Sequence, residues 1–535
     1  GSQFTSASAL ATVGTIGTGV WQGTPITSAY LNAAQTAITS VGTLTSFRST
    51  GIDDNADALA ITIDSSERVG IGITNPSAPL EVYDTGGNHI KITSANGAWR
   101  LVTNNSNGRF ELTESGVAIR MIVDANSRIS LSNNDGGGTS GSDSTSGNTI
   151  LGWKAGEDIA SGGIDNSYFG HNAGNQNTTG DNNTYIGSNA GEGVNGNANS
   201  NNTAVGSKAL LAITTGQGNS ILGTLAGDAI TTGGDNVAVG YKALTALTTA
   251  TGNTAVGKDA LEAVTTTTGH TAVGFKALEA NTSGDQNTAV GSGASEANTT
   301  GRNNTSVGFE AFHVNTAGED NTAIGQGTLG LLTDGDDNTA VGSGALARAT
   351  TSSNNTAVGY LSQLATTTGT LNTAVGSLSL QANTTGNHNS AVGYNALAGN
   401  TTGADNTAMG SRAGQAITTG SDNTAIGMYA LITATTASNN TAIGKSALEA
   451  NAAGSENTAV GMGALQTNIG GAANTAVGRL ANESNTSGAN NTALGVDALQ
   501  ANTTGGNLVA IGTDSLLSNT TASWNVGVGF EALKL

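Results

Sequence analysis

The chain has 535 residues, of which 79 are glycine and only 4% are aromatic, and it contains no cysteine, which excludes disulfides and thiolate chemistry. With so few large side chains a globule of this length could not fill a thick core, so the chain must bury its surface in thin layers or against copies of itself. The formal net charge of −20 argues against binding to nucleic acid or an anionic membrane, and no apolar run approaches the roughly 18 residues that membrane insertion requires.

Residues 1–47 are rich in Ser, Thr and Gly and predict a small β-rich fibre segment. A Val-Gly-Thr unit occurs twice, at 12–16 and at 40–44, and the alanine-rich stretch 28–38 between the two units predicts a short helix. Trp21 is interpreted as a packing anchor rather than as a ring that stacks on a ligand.

Residues 48–135 form a second segment, in which short apolar and polar alternations are separated by Gly, Asn, Asp and Ser. Such alternation is typical of an all-β module, and Pro76 and Pro79 mark a turn between two of its strands. The Gly/Ser-rich stretch 136–147 has nothing to bury and is predicted to be a linker. The predicted strands lie at 58–63, 80–83, 89–93, 99–103, 109–112, 119–123 and 128–131.

From residue 148 onward the chain repeats one short sequence with small changes, and its composition no longer shifts. The copy at 338–346 reads Asn-Thr-Ala-Val-Gly-Ser-Gly-Ala-Leu. Positions in every copy are numbered from the first glycine of this unit, so that Gly342 is position 0. The residues that define the copy are Asn338 at −4, Ala340 at −2, Val341 at −1, Gly342 at 0, Ala345 at +3 and Leu346 at +4.

The spacing of the copies is constant over most of the array. The glycines at position 0 from Gly206 to Gly529 are 17 residues apart, and (529 − 206)/17 + 1 gives 20 copies in register. Such a period is typical of a solenoid. With about 23 repeats in residues 148–535 and ~4.8 Å between strands, we expect a parallel β-solenoid or β-roll roughly 110 Å long. Three less regular copies precede the registered ones, at Gly152, Gly170 and Gly187.

Both sides of the short strand predicted in each copy are apolar. Position −2 is Ala in 17 of the 20 registered copies and position −1 is apolar in all of them, and neighbouring residues of a strand face opposite sides. One side therefore lies inside the turn, and the other must meet something outside it. The same surface on another copy of the chain is the simplest candidate, so we expect an all-β, elongated homotrimeric fibre.

The remaining positions of the repeat predict further local structure. Small residues at +3 and Leu at +4 predict a second short strand or one helical turn, while connectors rich in Asn, Thr and Gly supply turns and left-handed backbone. Position −4 is Asn in 18 of the 20 registered copies. Because stacked Asn side chains bond to one another and to neighbouring backbone, we expect an amide ladder that runs from rung to rung.

The unit Asn-Thr-Ala-Val-Gly-x-x-Ala resembles the head repeats of trimeric autotransporter adhesins, and this resemblance covers residues 148–535. It implies a left-handed parallel β-roll shared by three chains. The segments 12–25 and 68–82 look like stretches that are common in bacteriophage tail fibre proteins. Fibres of this kind often end in a self-cleaving chaperone domain of the endosialidase type; its absence after Leu535 would fit either cleavage or a shortened sequence.

Position +1 carries aromatic residues at 34-residue steps, that is, on every second turn and roughly 10 Å apart. This spacing is near that of alternate sugars in an extended glycan, and aromatic faces are natural stacking platforms for sugars. We therefore hypothesise a glycan-contacting strip; the alternative is that these rings cover the seam between subunits. The residues are Tyr241, Phe275, Phe309, Tyr360 and Tyr394.

The sequence predicts neither a catalytic site nor a metal site. His89, His171, His270, His313 and His388 are scattered, and His270 occupies the −4 position where other copies have Asn. Acidic residues often precede the −4 Asn and could contribute to a calcium site, but an Asx-type turn that opens the strand explains them more simply. We expect no cofactor and no enzyme activity. The acidic residues in question are Asp235, Asp320, Asp337, Asp405, Asp422 and Glu456.

Together the residues and the resemblance predict the structural and adhesive fibre of a phage virion. As an extracellular tail fibre it would join tail or baseplate proteins and support attachment to a polysaccharide or protein receptor on the host cell. The alternative is a trimeric bacterial surface adhesin built on the same roll. Less favoured is a polysaccharide depolymerase, because its paired carboxylates would need irregular turns to shape a cleft. An ice-binding protein would use the regular Thr file at −3, which we expect to be covered because −3 shares a face with −1.

Overall fold

The computed structural model describes residues 47–49, 61–73, 75–82, 88–94, 97–104, 109–114, 118–123, 129–131, 147–159, 163–194 and 196–534. The helix predicted at 28–38, the interpretation of Trp21 and the predicted linker up to residue 146 lie outside these residues. Within them every regular element is a β-strand, and no helix long and apolar enough to span a membrane is found. The chain divides into two compact units, Gly1–Thr93 with Arg100–Ser106, and Ser94–Trp99 with Asn107–Leu535.

Short strands make up most of the described residues before the array. They are β1 (Phe47–Ser49), β2 (Ile61–Ile63), β3 (Val69–Ile71), β4 (Leu80–Val82), β5 (Asn88–Ser94), β6 (Gly97–Asn104), β7 (Arg109–Glu114), β8 (Ala118–Val123) and β9 (Ile129–Leu131). Each of the seven predicted runs overlaps one of these strands. Strands β1, β2 and β3 pair antiparallel, and β3 pairs with β4 in parallel, with Pro76 and Pro79 in the connection. Strands β7, β8 and β9 also pair antiparallel. The division at residues 47 and 135 stays a prediction.

The repeats form one parallel sheet of 23 three-residue strands stacked in sequence order. From the fourth strand onward, partners on neighbouring strands are 17 residues apart, as Ala340 and Ala357 are, whereas the first three steps are 18, 17 and 19 residues. The fold is therefore a parallel β-solenoid, with 22 turns between its first and last strands. The strands are β10 (Thr149–Leu151), β11 (Ser167–Phe169), β12 (Thr184–Ile186), β13 (Thr203–Val205), β14 (Ser220–Leu222), β15 (Val237–Val239), β16 (Thr254–Val256), β17 (Thr271–Val273), β18 (Thr288–Val290), β19 (Thr305–Val307), β20 (Thr322–Ile324), β21 (Thr339–Val341), β22 (Thr356–Val358), β23 (Thr373–Val375), β24 (Ser390–Val392), β25 (Thr407–Met409), β26 (Thr424–Ile426), β27 (Thr441–Ile443), β28 (Thr458–Val460), β29 (Thr475–Val477), β30 (Thr492–Leu494), β31 (Val509–Ile511) and β32 (Val526–Val528).

The core of each turn is a thin layer of small and branched side chains. In the copy at 338–346, Ala340, Ala345 and Leu346 are fully buried, whereas Val341 stays half-buried on the other side of the strand. The side that faces the inside of the turn is thus the one that carries Ala at −2. This arrangement fills a solenoid with few large residues, as the composition requires.

The segment after the glycine is neither a strand nor a helix, so the prediction of a second short strand or one helical turn is wrong. It consists of consecutive turns, in which Gly344 at +2 has φ +67° and Leu346 at +4 has φ +50°. Backbone bonds to both neighbouring rungs hold this left-handed conformation in place. The N–H of Gly344 donates to the carbonyl of Gln326 on the preceding turn (3.0 Å), and the N–H of Leu346 donates to that of Ser362 on the next (3.0 Å).

The glycine at position 0 is demanded by its backbone and by the next rung. Gly342 has φ +126°, a conformation that L side chains rarely adopt, and a Cβ at this position would lie 2.6 Å from the carbonyl oxygen of Gly359. The same contact recurs from rung to rung, so each glycine lets the following turn approach. The strict 17-residue spacing of these glycines follows from this stacking.

Buried side-chain amides link the rungs inside the solenoid. At −4, the N–H of Asn338 donates to Oδ1 of Asn321 (3.0 Å), and its Nδ2 donates to the carbonyl of Ser352 (2.8 Å). The amide ladder expected from the sequence is therefore present. A second ladder, at +7, was not predicted: Nδ2 of Asn468 donates to Oδ1 of Asn451, and Nδ2 of Asn485 to that of Asn468, both at 2.8 Å. These ladders satisfy polar groups that would otherwise be costly to bury.

Candidate functional site

One side of the array's sheet is exposed along its length. From β11 onward the middle residue of each strand, −2, is buried, while −3 and −1 are half-buried or exposed, as Thr339 and Val341 are in β21. The backbone ladder continues past the strand, since the N–H of Leu361 at +2 donates to the carbonyl of Ser343 at +1 on the preceding turn (3.1 Å). Residues at +1, such as Tyr360, are half-buried or exposed, as those at −1 are, and they follow one another in a column from rung to rung. We define the outer face as positions −3, −1 and +1 of the 20 copies in register, which are the copies that contain strands β13 to β32.

The five predicted aromatic residues all lie at +1 on the outer face. Their side chains are 44–57% exposed, so they stand clear of the turns that carry them. The structure places them in one file along the stack rather than in a pocket. They are Tyr241, Phe275, Phe309, Tyr360 and Tyr394.

The file of large residues at +1 is longer than the sequence analysis recognised. Starting from Tyr394, the same 34-residue step leads to Met428, Met462, Val496 and Phe530, and each of these side chains is exposed. The sequence prediction did not include Met428, Met462 and Val496, which are not aromatic, and it also missed the aromatic Phe530, which these three residues separate from Tyr394. The signal that finds them is side-chain bulk at a fixed position on alternate rungs.

Lysine side chains contact two of the rings. The Nζ atoms of Lys258 and Lys276 lie 5.4 and 5.7 Å from the ring centre of Phe275, and Nζ of Lys242 lies 5.8 Å from that of Tyr241. These distances are within the range of cation–π attraction. The +1 file around Tyr241 and Phe275 is therefore cationic as well as aromatic.

The same lysines are paired with glutamates that stand above one another at +5. Lys242 Nζ lies 3.0 Å from Glu262, and Lys276 Nζ lies 3.0 Å from Glu279 and 3.5 Å from Glu296. Hydrogen bonds to Glu262 and Glu279, more than the Coulomb attraction of the same groups, raise the pKa of Lys242 and of Lys276 respectively. The lysines thus balance a column of carboxylates and do not form a free basic patch.

The acidic residues considered for calcium are not brought together into a cage. Asp235, Asp320 and Asp337, at −5, each adopt left-handed backbone, with φ of 54–58°, and donate their N–H groups to the preceding rung. In the described part of the chain, the carboxylates close enough to share a cation are instead Asp259 and Glu262 with Glu279. Each of these three carboxylates has a lysine partner. Lys258 Nζ lies 3.3 Å from Asp259, and Glu262 and Glu279 pair with Lys242 and Lys276 as described above.

The described histidines have separate surroundings. The ring of His171 stacks on Trp153 at 5.0 Å, and that of His313 lies 3.7 Å from Glu296. His388 lies 3.8 Å from Asp405, whereas His270 is buried in the −4 ladder. His270 Nε2 lies 2.9 Å from the hydroxyl of Thr267, but both side chains are buried, so this pair is out of reach of a substrate. The side chain of His89 lies outside those residues.

No protein family, curated protein or solved structure matches this chain. The chain's function must therefore be inferred from its own geometry. The feature with the clearest consequence is the outer face, a regular and largely apolar surface that extends over 20 rungs in register.

Proposed function

We propose that this chain is the structural and adhesive component of a homotrimeric fibre, a phage tail fibre that mediates or supports attachment to the host cell surface. The observation that carries the proposal is the outer face. Its file at −1 is apolar on all 20 registered rungs, yet in the single chain every one of these side chains stays at least partly exposed. Contiguous exposed apolar surface on this scale marks an interaction site.

The regularity of the solenoid supports a shaft rather than a catalytic role. Identical rungs present the same groups at every level, so they suit a rigid spacer or a multivalent surface better than a single tailored pocket. Attachment would involve a polysaccharide or protein receptor on the host, and one end of the fibre would join tail or baseplate proteins. The resemblance of residues 12–25 and 68–82 to tail fibre segments is what favours a phage over a bacterial origin.

The mass of the native protein tests the assembly. We expect light scattering to give a mass of about three chains, because rotational symmetry lets one repeated surface cover itself. The mass should persist after mild heating in detergent, since an interface along the whole array separates slowly. A mass of one chain would contradict the fibre proposal.

The complete gene and its neighbours test the biological setting. A chaperone domain at the end of the gene, or adjacent genes for tail proteins, would support a phage fibre. An outer-membrane β-barrel anchor would instead support the alternative, a trimeric surface adhesin.

A further inference from the structure

We propose that the outer face is the seam between copies of this chain, and that the bulky side chains at +1 are the elements that interlock across it. The inference rests on the proposed trimeric fibre and names the residues that hold the fibre together. Four observations carry it: the alternation along the +1 file, the behaviour of rings elsewhere in the chain, the chemistry of the bulky members, and the distribution of charge.

The first observation is that large apolar residues occupy alternate rungs of the +1 file. Between them stand mainly small or polar residues, such as Ser292, Ser377, Ser411 and Thr513, and three cationic ones. The alternation is interrupted once, where two successive rungs, those of Gln326 and Ser343, carry no large apolar residue at +1. The bulky residues are Tyr241, Phe275 and Phe309 before this interruption, and Tyr360, Tyr394, Met428, Met462, Val496 and Phe530 after it.

The second observation is that the chain itself does not require this alternation. Trp153 and His171 occupy +1 on successive rungs of the same column, and their rings stack at 5.0 Å with planes 17° apart. In the core, Tyr168 and Tyr185 stack in the same way at 5.2 Å. Because the solenoid accepts large rings on neighbouring rungs, packing within one chain does not require the alternation. We attribute it to a partner that contacts the +1 file from outside.

The third observation is that the bulky positions share size and apolarity, not aromatic character. Met428, Met462 and Val496 have no ring face on which a sugar could stack, but their exposed apolar surfaces can pack against protein. A strip designed for a glycan would need a ring at each of these sites. The occupant is therefore another polypeptide.

Geometry identifies this polypeptide as a second copy of the chain. The bulky residues from Tyr241 to Phe530 span (529 − 240)/17 = 17 rung steps, or roughly 80 Å at ~4.8 Å per step. A partner must keep the same rung step over that whole length, and a copy related by rotation does so automatically. Converging rings prefer offset or edge-to-face contacts with centres about 4.5–7 Å apart. Bulky side chains that meet across the seam on one rung would take such contacts, and the small residues on the intervening rungs would leave them room.

The fourth observation is the absence of negative charge from the sequence positions of the outer face. The chain carries 38 acidic residues, but none stands at −3, −1 or +1 of the 20 registered copies. The charged side chains there are Lys258, Lys445 and Arg479, all cationic. Copies of a protein with a net charge of −20 can thus approach through this face without burying a carboxylate, which would be costly.

Cross-linking tests the inference directly, because the chain has no cysteine of its own. Ser411→Cys places one thiol at +1 on the outer face, and Thr402→Cys places a matched thiol on an exposed position of the connector. With a short bis-maleimide we expect the full-length Ser411→Cys protein to form covalently joined chains on a denaturing gel. The Thr402→Cys protein should remain as single chains.

A charge variant gives a second readout. Met428→Asp with Met462→Asp adds carboxylates to the seam, so we expect light scattering to show at least a tenfold loss of the assembled form, with the β-sheet circular dichroism spectrum retained. Thr402→Asp is the matched control and should assemble normally. An assembled protein that is not cross-linked through Ser411→Cys and tolerates both aspartates would overturn the seam while leaving the fibre proposal intact.

Two further outcomes separate the alternatives. A native mass of one chain would overturn the seam and the fibre together. Retardation of the native protein in a dextran gel that is lost in Tyr360→Ser with Tyr394→Ser, at unchanged mass, would assign the +1 file to a glycan and so overturn the seam alone.

Discussion

At the scale of single residues, the solenoid core keeps its volume by paired changes at −2 and +4. Most turns have Ala at −2 and Leu at +4, but where −2 is large, +4 is glycine. A Cβ on Gly174 would lie 2.6 Å from the ring of Tyr168, and a Cβ on Gly227 would lie 3.3 Å from Ile221. The same pairing joins Tyr185 with Gly191. In these turns the glycine leaves the space that the larger side chain at −2 fills.

Asn482 is a polar residue at a core position that is usually apolar. It stands at +4, where most copies have Leu; it is fully buried, and neither polar atom of its side-chain amide has a hydrogen-bond partner. We expect Asn482→Leu to raise the free energy of unfolding by about 1–3 kcal/mol, since it removes an unsatisfied amide. Leu465 and Leu499 adopt the same left-handed backbone at +4, so leucine is compatible with the φ of +50° at Asn482.

Urea denaturation of the two proteins would measure this difference. Leu465→Asn is the matched control and should lower the midpoint, because it creates the same defect one rung earlier. An unchanged or lower midpoint for Asn482→Leu would mean that the Asn482 amide is satisfied in solution.

His270 makes the −4 ladder sensitive to acid. Burial lowers the pKa of this imidazole from 6.5 to about 4, although the charge of Asp285 opposes the shift. The N–H of Asn287 donates to Nδ1 (3.2 Å), while Nε2 lies 2.9 Å from Oγ1 of Thr267. The folded state therefore holds the neutral ring, with Nδ1 as an acceptor. Protonation would remove that acceptor.

We expect His270 to destabilise the folded chain as pH falls from about 6.5 to about 4. The unfolded state binds the proton first, so the penalty is absent above pH 6.5 and complete below pH 4. A shift from 6.5 to about 4 corresponds to about 3 kcal/mol. Thermal unfolding of the native protein and of His270→Asn across this range would show it as a pH-dependent difference. A constant difference between the two proteins would contradict the assignment.

At the scale of the element, a single turn is defined by hydrogen bonds to its two neighbours more than by its own residues. A three-residue strand cannot stand alone, but its N–H and C=O groups pair with both adjacent rungs. Side chains add to this pairing at −4, at +7 and at +8, where Oγ1 of Thr384 donates to the carbonyl of Thr401 (2.9 Å). Stability therefore depends on how closely successive turns approach.

The glycine at position 0 sets this approach, so its substitution should open the stack locally. We expect Gly342→Ala to destabilise its rung by at least about 1–3 kcal/mol, because the new Cβ adds to the strain of φ +126° a contact of 2.6 Å with Gly359. The control is Gly470→Ala, where a Cβ meets nothing within 4 Å. Limited proteolysis and thermal unfolding should show a difference for Gly342→Ala alone. Equal behaviour of the two variants would contradict this account of the stacking.

At the scale of the whole molecule, the array is a one-dimensional stack in which each rung contacts its neighbours. Stability in such a stack is approximately a sum over rungs and interfaces. Whole periods should therefore be removable. Partial periods should not, because they move the buried −2 and +4 positions out of line.

Deletion of residues 343–359, one full period, should leave β-sheet circular dichroism and cooperative unfolding intact, because it joins position 0 to a residue at +1. Deletion of residues 343–350 should disrupt the stack at that level and expose it to protease. The shorter deletion removes fewer residues. A larger disruption by this deletion must therefore come from the lost register and not from the amount of sequence removed. Protease resistance of the shorter deletion would contradict the nearest-neighbour description.

Much of this molecule could be predicted from its sequence because repetition makes the pattern explicit. The spacing of the glycines gave the period, and Asn at −4 predicted a ladder. The candidate surface was only partly predicted. Aromatic residues such as Tyr360 and Tyr394 stood out by their chemistry, whereas Met428 and Val496 were missed, although their bulk at the same position of alternate rungs is visible in the sequence.

What the sequence determined by itself is the solenoid, that is, the parallel stack and its 17-residue turn, whereas the structure decided which side of the strand faces inward. The stack and the turn follow from local periodicity, since every rung repeats the same contacts. The tertiary structure decided what local pattern leaves open. It showed turns in place of a strand or helix after the glycine, because inter-rung bonds support left-handed backbone at +2 and +4. It also showed the second Asn ladder and the exposure of the outer face, because both depend on residues 17 positions apart meeting in space.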